Sequence, residues 1–196
     1  MQKQIKILLT LLTVLILAIS CANNNPNDPN NTGTSQSGDS NNNNNNNQTV
    51  KPAWKENVNY SWLIQDWYNE AQPYLSEVYQ IRESGTDKID FIVLDPQGAV
   101  SYSYSITEIV WNSDNTSGIM YGTYTVEPSW YPGYLNKWCA ILFKNLTANT
   151  LYISQAGIVS GSDVIAAADT LEEAKSTFTE ANNAFTWGTD LVPQTK

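Results

Sequence analysis

The 196-residue sequence predicts a mainly β domain, an antiparallel meander closing into a small barrel with one C-terminal α-helix. Three observations carry this. "AVSYSYSITEIVW" alternates apolar and hydroxylated residues over most of its length, the period of a strand with one buried face. The apolar runs around it are joined by short polar connections ("SGTD", "DPQG", "NSDNTSG", "NLTAN"), which suit hairpins better than the crossovers of parallel sheets. A single stretch, "DTLEEAKSTFTEAN", combines helical spacing with a helix-start signal.

The chain begins "MQKQIKILLTLLTVLILAISC". Lys3 and Lys6 precede an apolar run from Ile7 to Leu17, and small residues lead to Cys21, the build of a secretory signal peptide over residues 1–20. The run falls short of the roughly 20 apolar residues that a membrane-spanning helix needs. Two processing routes fit. Ala18-Ile19-Ser20-Cys21 resembles the lipobox of bacterial lipoproteins, which makes Cys21 the lipid-carrying first residue of a mature protein. Small residues at 18 and 20 also suit ordinary signal peptidase, which releases a soluble protein. The segment from Ala22 to Val50 favours the first route. Its charges are Asp28 and Asp39 and its one sizeable apolar residue is Val50, so it buries too little to offset its ordering entropy. Residues 21–50 then form a lipidated cysteine and a disordered Asn-rich tether with an r.m.s. span of about 30 Å. Residues 51–196 form the folded domain.

Without Lys3 and Lys6 the chain keeps 8 basic against 19 acidic residues, a net of −11. The basic residues are scattered, which argues against nucleic acid as a partner. It argues equally against attraction to anionic headgroups, so the membrane is reached through the acyl chains on Cys21. A lipidated Cys21 leaves Cys139 without a partner in the chain, and a disulfide between them belongs to the released form.

All seven Trp and all eleven Tyr lie beyond Lys51, which places the core there. "WLIQDWYNEAQPY" reads as either a short helix or an irregular aromatic strand, ended by Pro73. Glu77 to Glu83 is a weak strand. "KIDFIVLD" puts Ile89, Phe91 and Val93 on one face and runs into a turn. In the long alternating strand, Val100, Tyr102, Tyr104, Ile106 and Val110 share a face, with Ser101, Ser103, Ser105 and Thr107 opposite. Glu108 falls on the apolar face: it sits at a strand end, reaches a buried partner or points into a cavity. "SGIMYGTYTV" is strand-like from Gly118 to Val126. "NKWCAILFKN" is apolar on both faces, as in a central strand or one covered on its outer side. "NTLYISQ" follows. Thr170 with Glu173 fits a capping box, and Leu171, Ala174, Phe178 and Ala181 form an apolar stripe. That stripe packs on the sheet or across a barrel opening, with Phe185 and Trp187 continuing the contact.

A meander followed by one amphipathic helix, carrying "KNLTANTLYISQA", "TLEEAKSTFT" and a late "TWG" at 186–188, resembles the lipocalin-like (calycin) barrels. Among them it is most similar to small lipocalin-like lipoproteins of spirochaetes. That family's Gly-x-Trp motif near the first strand is absent here, and Trp62 and Trp67 are the residues available for the tryptophan's place. The resemblance implies a lipid-anchored barrel of the cell envelope, at the outer membrane or cell surface, that binds a small apolar or amphipathic ligand.

Catalytic chemistry finds little footing. There is no histidine, which removes Ser-His-Asp and Cys-His triads and imidazole metal sites. Cys139 lies in an apolar strand rather than at a helix start, the setting of an inert buried thiol. Glu108, Glu127, Asp163 and Asp169 supply acids but no motif for a hydrolytic pair. "NSDNTSG" holds one acid, Asp114, without the spacing of a calcium loop. Gly157 and Gly161 lack the lysine of a phosphate loop. A non-catalytic protein without metal or cofactor is expected.

"VEPSWYPGYLNKW" sets four aromatic rings around a Pro-Gly turn. Three arrangements account for it. The rings fold back over the barrel end against Trp138 or Trp54, they line the mouth of an apolar pocket, or they stand exposed as a platform for sugars or an anchor for a protein. The expected ligand contacts are Trp130, Tyr131 and Tyr134 from the loop, with Tyr102 and Tyr104 from the inward face of the strand. The alternatives are an adhesion or structural lipoprotein whose filled barrel binds a partner protein, and a carbohydrate-binding module.

Overall fold

The computed structural model describes residues 51–69 and 77–194. The expected signal peptide, Cys21, the expected tether and Pro73 lie outside the described residues. Seven strands run as a meander, each antiparallel to the one before: β1 (Asp66–Tyr68), β2 (Val78–Glu83), β3 (Ile89–Leu94), β4 (Val100–Trp111), β5 (Gly118–Val126), β6 (Trp138–Lys144) and β7 (Leu151–Gln155). A hairpin of β8 (Ile158–Ser160) and β9 (Asp163–Ile165) follows, then helix α2 (Leu171–Thr177). The last strand, β10 (Gly188–Pro193), enters between β7 and β1 and closes an eight-stranded barrel. This is the mainly β barrel with one C-terminal helix that the sequence predicts. The barrel belongs to a compact unit, Asn46–Lys196. The ambiguous aromatic stretch resolves into both of its readings: a single turn, α1 (Tyr60–Leu63), and then β1.

Alternation sets the interior. Phe91 stands opposite Tyr104, Ile89 opposite Ile106, Met120 opposite Ile141 and Phe143 opposite Ile153, and all eight are buried in one cluster. Each large side chain buried this way stabilises the fold by roughly 1.5–3 kcal/mol.

Strand β4 departs from the simple alternation. Its register against β5 shifts between Ile106 and Glu108, so Thr107 is an extra, bulged residue. Beyond it the phase inverts. Ile109 is buried, Val110 is exposed, and Glu108 turns outward to Lys175 of α2 at 2.7 Å. A second shift, between Val93 and Leu94, leaves Val100 exposed as well. Val100 and Val110 therefore do not share the face of Tyr102, Tyr104 and Ile106.

The outward face of β5 and β6 is covered, which is why β6 is apolar on both sides. Tyr121 and Ala140 are buried there with Ala174 and Phe178 in a second cluster. The Thr170 side chain caps α2 by accepting from Glu173 N–H at 3.1 Å, and Glu173 accepts in return from the N–H of Asp169. The helix ends at Thr177, so Ala181 lies beyond it and is exposed. Phe185 packs in this cluster, but Trp187 does not.

One end of the barrel is stoppered by the N-terminal segment. Trp111 donates its indole N–H to the carbonyl of Trp54 at 2.9 Å, and Trp54 meets Tyr60 edge-on. Lys55 is buried here; its ammonium pairs with Glu83 and donates to the carbonyls of Gly85 and Lys88. Burial opposes ionisation of Glu83, but hydrogen bonds from Lys55 and Tyr60 outweigh it and hold its pKa below the ordinary value. A depressed folded-state pKa gives stability that is complete above the unfolded value, about 4.3 for glutamate, and lost as pH falls through the folded one. Lys55→Met is expected to shrink that acid limb, read as a smaller loss of Tm between about pH 5 and pH 3 than in the parent protein.

Candidate ligand cavity at the open end

The antiparallel meander sends alternate connections to the other end. The loops after β3 and β5 and the β8–β9 hairpin all gather there. Among the described residues, interior side chains do not fill this half, and a cavity of about 550 Å³ remains. The described barrel is thus packed at one end and open at the other. Tyr79, Phe91, Tyr102 and Tyr104 from β2 to β4 form one side of the cavity, and Ile141 and Ile153 contribute from β6 and β7. Trp130 and Tyr131 of the aromatic loop and Trp187 before β10 complete it near the mouth.

A carboxylate holds the aromatic loop in place. Glu127 Oε2 accepts from the backbone N–H groups of Gly133, Tyr134 and Leu135 at 2.8, 2.8 and 3.0 Å. Gly133 adopts φ +92°, a left-handed conformation that glycine takes without strain and that presents these amides together. Glu127→Ala is expected to lower hydrogen-exchange protection of residues 133–135 about tenfold, since three charge-assisted bonds disappear. Amides of β6 should keep theirs.

The rings form a closed circuit. Tyr102 meets Trp130 at 5.8 Å, Trp130 meets Tyr131 at 6.5 Å, and Tyr131 stacks on Tyr134 at 5.3 Å. Tyr134 continues to Tyr124 at 5.7 Å, Tyr124 to Tyr104 at 4.6 Å, and Tyr104 returns to Tyr102 at 5.7 Å. Two of the three expected arrangements therefore coexist. The loop folds back onto the barrel, but against Tyr102 and Tyr124 rather than Trp138 or Trp54; Trp54 belongs to the opposite end. Trp130 stays 56% exposed at the mouth.

Of the five expected contacts, Tyr102, Tyr104, Trp130 and Tyr131 line the cavity, and Tyr134 does not. Tyr134 is a buttress, half-buried against Tyr124, with its hydroxyl donating to Val164 O of β9 at 3.1 Å. Three lining groups escaped the sequence reading. Trp187, expected against the helix, is 53% exposed at the mouth. Glu77 immediately precedes β2 and accepts from the Tyr79 hydroxyl at 2.5 Å. Gln155 ends β7, where Leu151, Ile153 and Gln155 share the inward phase, so a polar residue on an apolar face was the available signal.

Gln155 organises the polar patch of the cavity. Its amide nitrogen donates to the Tyr104 and, at 3.0 Å, the Tyr124 hydroxyl. Burial raises the pKa of both phenols, reinforced at Tyr104 by the neighbouring Tyr124 and at Tyr124 by the neighbouring Cys139. Both stay neutral hydrogen-bonding groups at physiological pH. Burial likewise pushes the Cys139 thiol up.

The acids weighed for hydrolysis lie elsewhere. Glu108 pairs with Lys175, Asp169 with Lys137, and Glu127 serves the loop amides. Asp163 is exposed on the hairpin. Asp114 is engaged by Thr116 and Ser117 in its own turn. No family model, curated protein or solved structure matches this chain. The site stands on its geometry.

Proposed function

We propose that the chain is a lipid-anchored protein of the cell envelope whose barrel binds a small amphipathic ligand at its open end. Cys21 and the Asn-rich segment after it supply the anchor and the tether. The observation that carries the binding reading is the 550 Å³ cavity. It has the size of small-molecule sites, seven aromatic side chains in its walls, and a few convergent polar groups from Gln155, Glu77 and the tyrosines. Binding rather than catalysis is supported by the lining, which among the described residues offers one carboxylate, Glu77, and no second acid to share proton transfer with it. The circuit of rings favours a site formed in advance, which lowers the ordering entropy of binding.

The test is native mass spectrometry of residues 46–196, produced in and gently purified from the natural host. A reproducible added mass is expected, reduced at least tenfold in occupancy by Trp130→Ala and by Tyr131→Ala, because aromatic anchors dominate such sites. A clean apo mass across independent preparations would sink the ligand reading and leave the outer surface of the barrel as the place to seek a protein partner. The anchor is tested separately, by acyl mass on Cys21 of the full chain and its loss in Cys21→Ala.

A further inference from the structure

We propose that the ligand is an organic cation, an ammonium group carried on a small apolar or aromatic body; this rests on the ligand-binding reading above. Three observations converge. First, seven aromatic side chains line the cavity, and ring faces attract a cation within about 6 Å of the centroid. Second, Glu77 is the one charged side chain among the described residues of the lining, and it takes part in none of the five ion pairs found among them. The five ion pairs commit Lys55, Arg82, Lys137, Lys144 and Lys175 to Glu83, Asp66, Asp169, Glu180 and Glu108. Third, the polar patch includes a neutral acceptor: Gln155 donates through its amide nitrogen to Tyr104 and Tyr124, and its carbonyl oxygen is an acceptor in the same side chain.

These features set the sign of selectivity. A neutral apolar ligand filling the cavity would cover the Glu77 carboxylate, which accepts from the Tyr79 hydroxyl but belongs to no ion pair among the described residues, and desolvating such a charge is unfavourable. An anion would meet that carboxylate with no lysine or arginine beside it. A cation resolves both problems, and Coulomb attraction is stronger inside a partly desolvated cavity than in water. The acidic chain draws it in the same direction.

Calorimetric titration of residues 46–196 with four probes tests this: 2-phenylethylamine, protonated at pH 7, its neutral analogue 2-phenylethanol, the anion 3-phenylpropionate, and methyl glucoside. The amine is expected to bind at least about tenfold tighter than the other three, and more weakly as salt rises. Glu77→Gln should bring the amine to within about twofold of the alcohol, weakening the amine and leaving the alcohol equal or tighter. Equal or tighter binding of alcohol, acid or sugar by the parent protein overturns the cation assignment, and needs no variant. So does an unchanged amine affinity in Glu77→Gln, or the absence of amine binding. Each of these leaves the ligand reading itself to the host-derived added mass, so the two failures are told apart.

Discussion

Trp67→Ala is expected to lower the stability of the barrel by about 4 kcal/mol, the range for truncating a fully buried large aromatic. The residue is completely buried and sits in the three-residue strand β1, opposite Pro193 of β10 and Tyr79 of β2. Its indole N–H also donates to Leu63 O at 3.3 Å. So short a strand has few backbone bonds to hold it, and the ring that it buries joins the two sides of the seam. Chemical denaturation gives the loss directly, as a lower midpoint at a similar slope. A change under about 1 kcal/mol would mean that backbone pairing alone keeps the barrel closed.

Gly122→Ala is expected to destabilise the protein by about 3 kcal/mol, at the upper end for overpacking a core. An ideal Cβ at Gly122 would lie 2.3 Å from the carbonyl oxygen of Ser105 and 2.8 Å from Ile106 Cα. Both obstacles are backbone, so no side chain can swing aside. They belong to β4 immediately before its bulge, where the strand comes close to β5. Thermal unfolding of the alanine variant should show the loss together with a weaker bulge, seen as reduced exchange protection around residues 105–108. Native stability in that variant would show that β4 can shift by more than half an ångström without loss.

Much of the barrel was legible in the sequence because its central strands are long and alternate cleanly. "KIDFIVLD" and "NKWCAILFKN" leave little choice of structure, and the helix announced itself through Thr170 and Glu173. What stayed hidden has physical causes. β1, β8 and β9 are three residues long, too short for a period to show, and "GTDLVP" of β10 ends in a proline that reads as a break. Tertiary pairing makes them strands. Glu108 stood out as a misfit on an apolar face, and the misfit was real, but its cause was a bulged residue one place earlier. Gln155 raised the same kind of signal at the end of a shorter run, where it marked the cavity. Four of the five aromatic residues expected as ligand contacts line the cavity. Glu77 and Trp187 were not foreseen there, since their positions depend on where the strands end rather than on local pattern.

The order of the strands also constrains when the protein can become whole. β10 follows every other element in sequence, yet it is the strand that joins β7 to β1. A nascent chain can pair β1 through β7 as they emerge, but it remains an open sheet with two unpaired edges until residues 188–193 arrive. Closure therefore waits on the most distant pairing in the fold, which is slow because its loop-closure entropy must be met last. That delay makes the unclosed edges of β1 and β7 the places where an overcrowded or truncated chain would first associate with its neighbours.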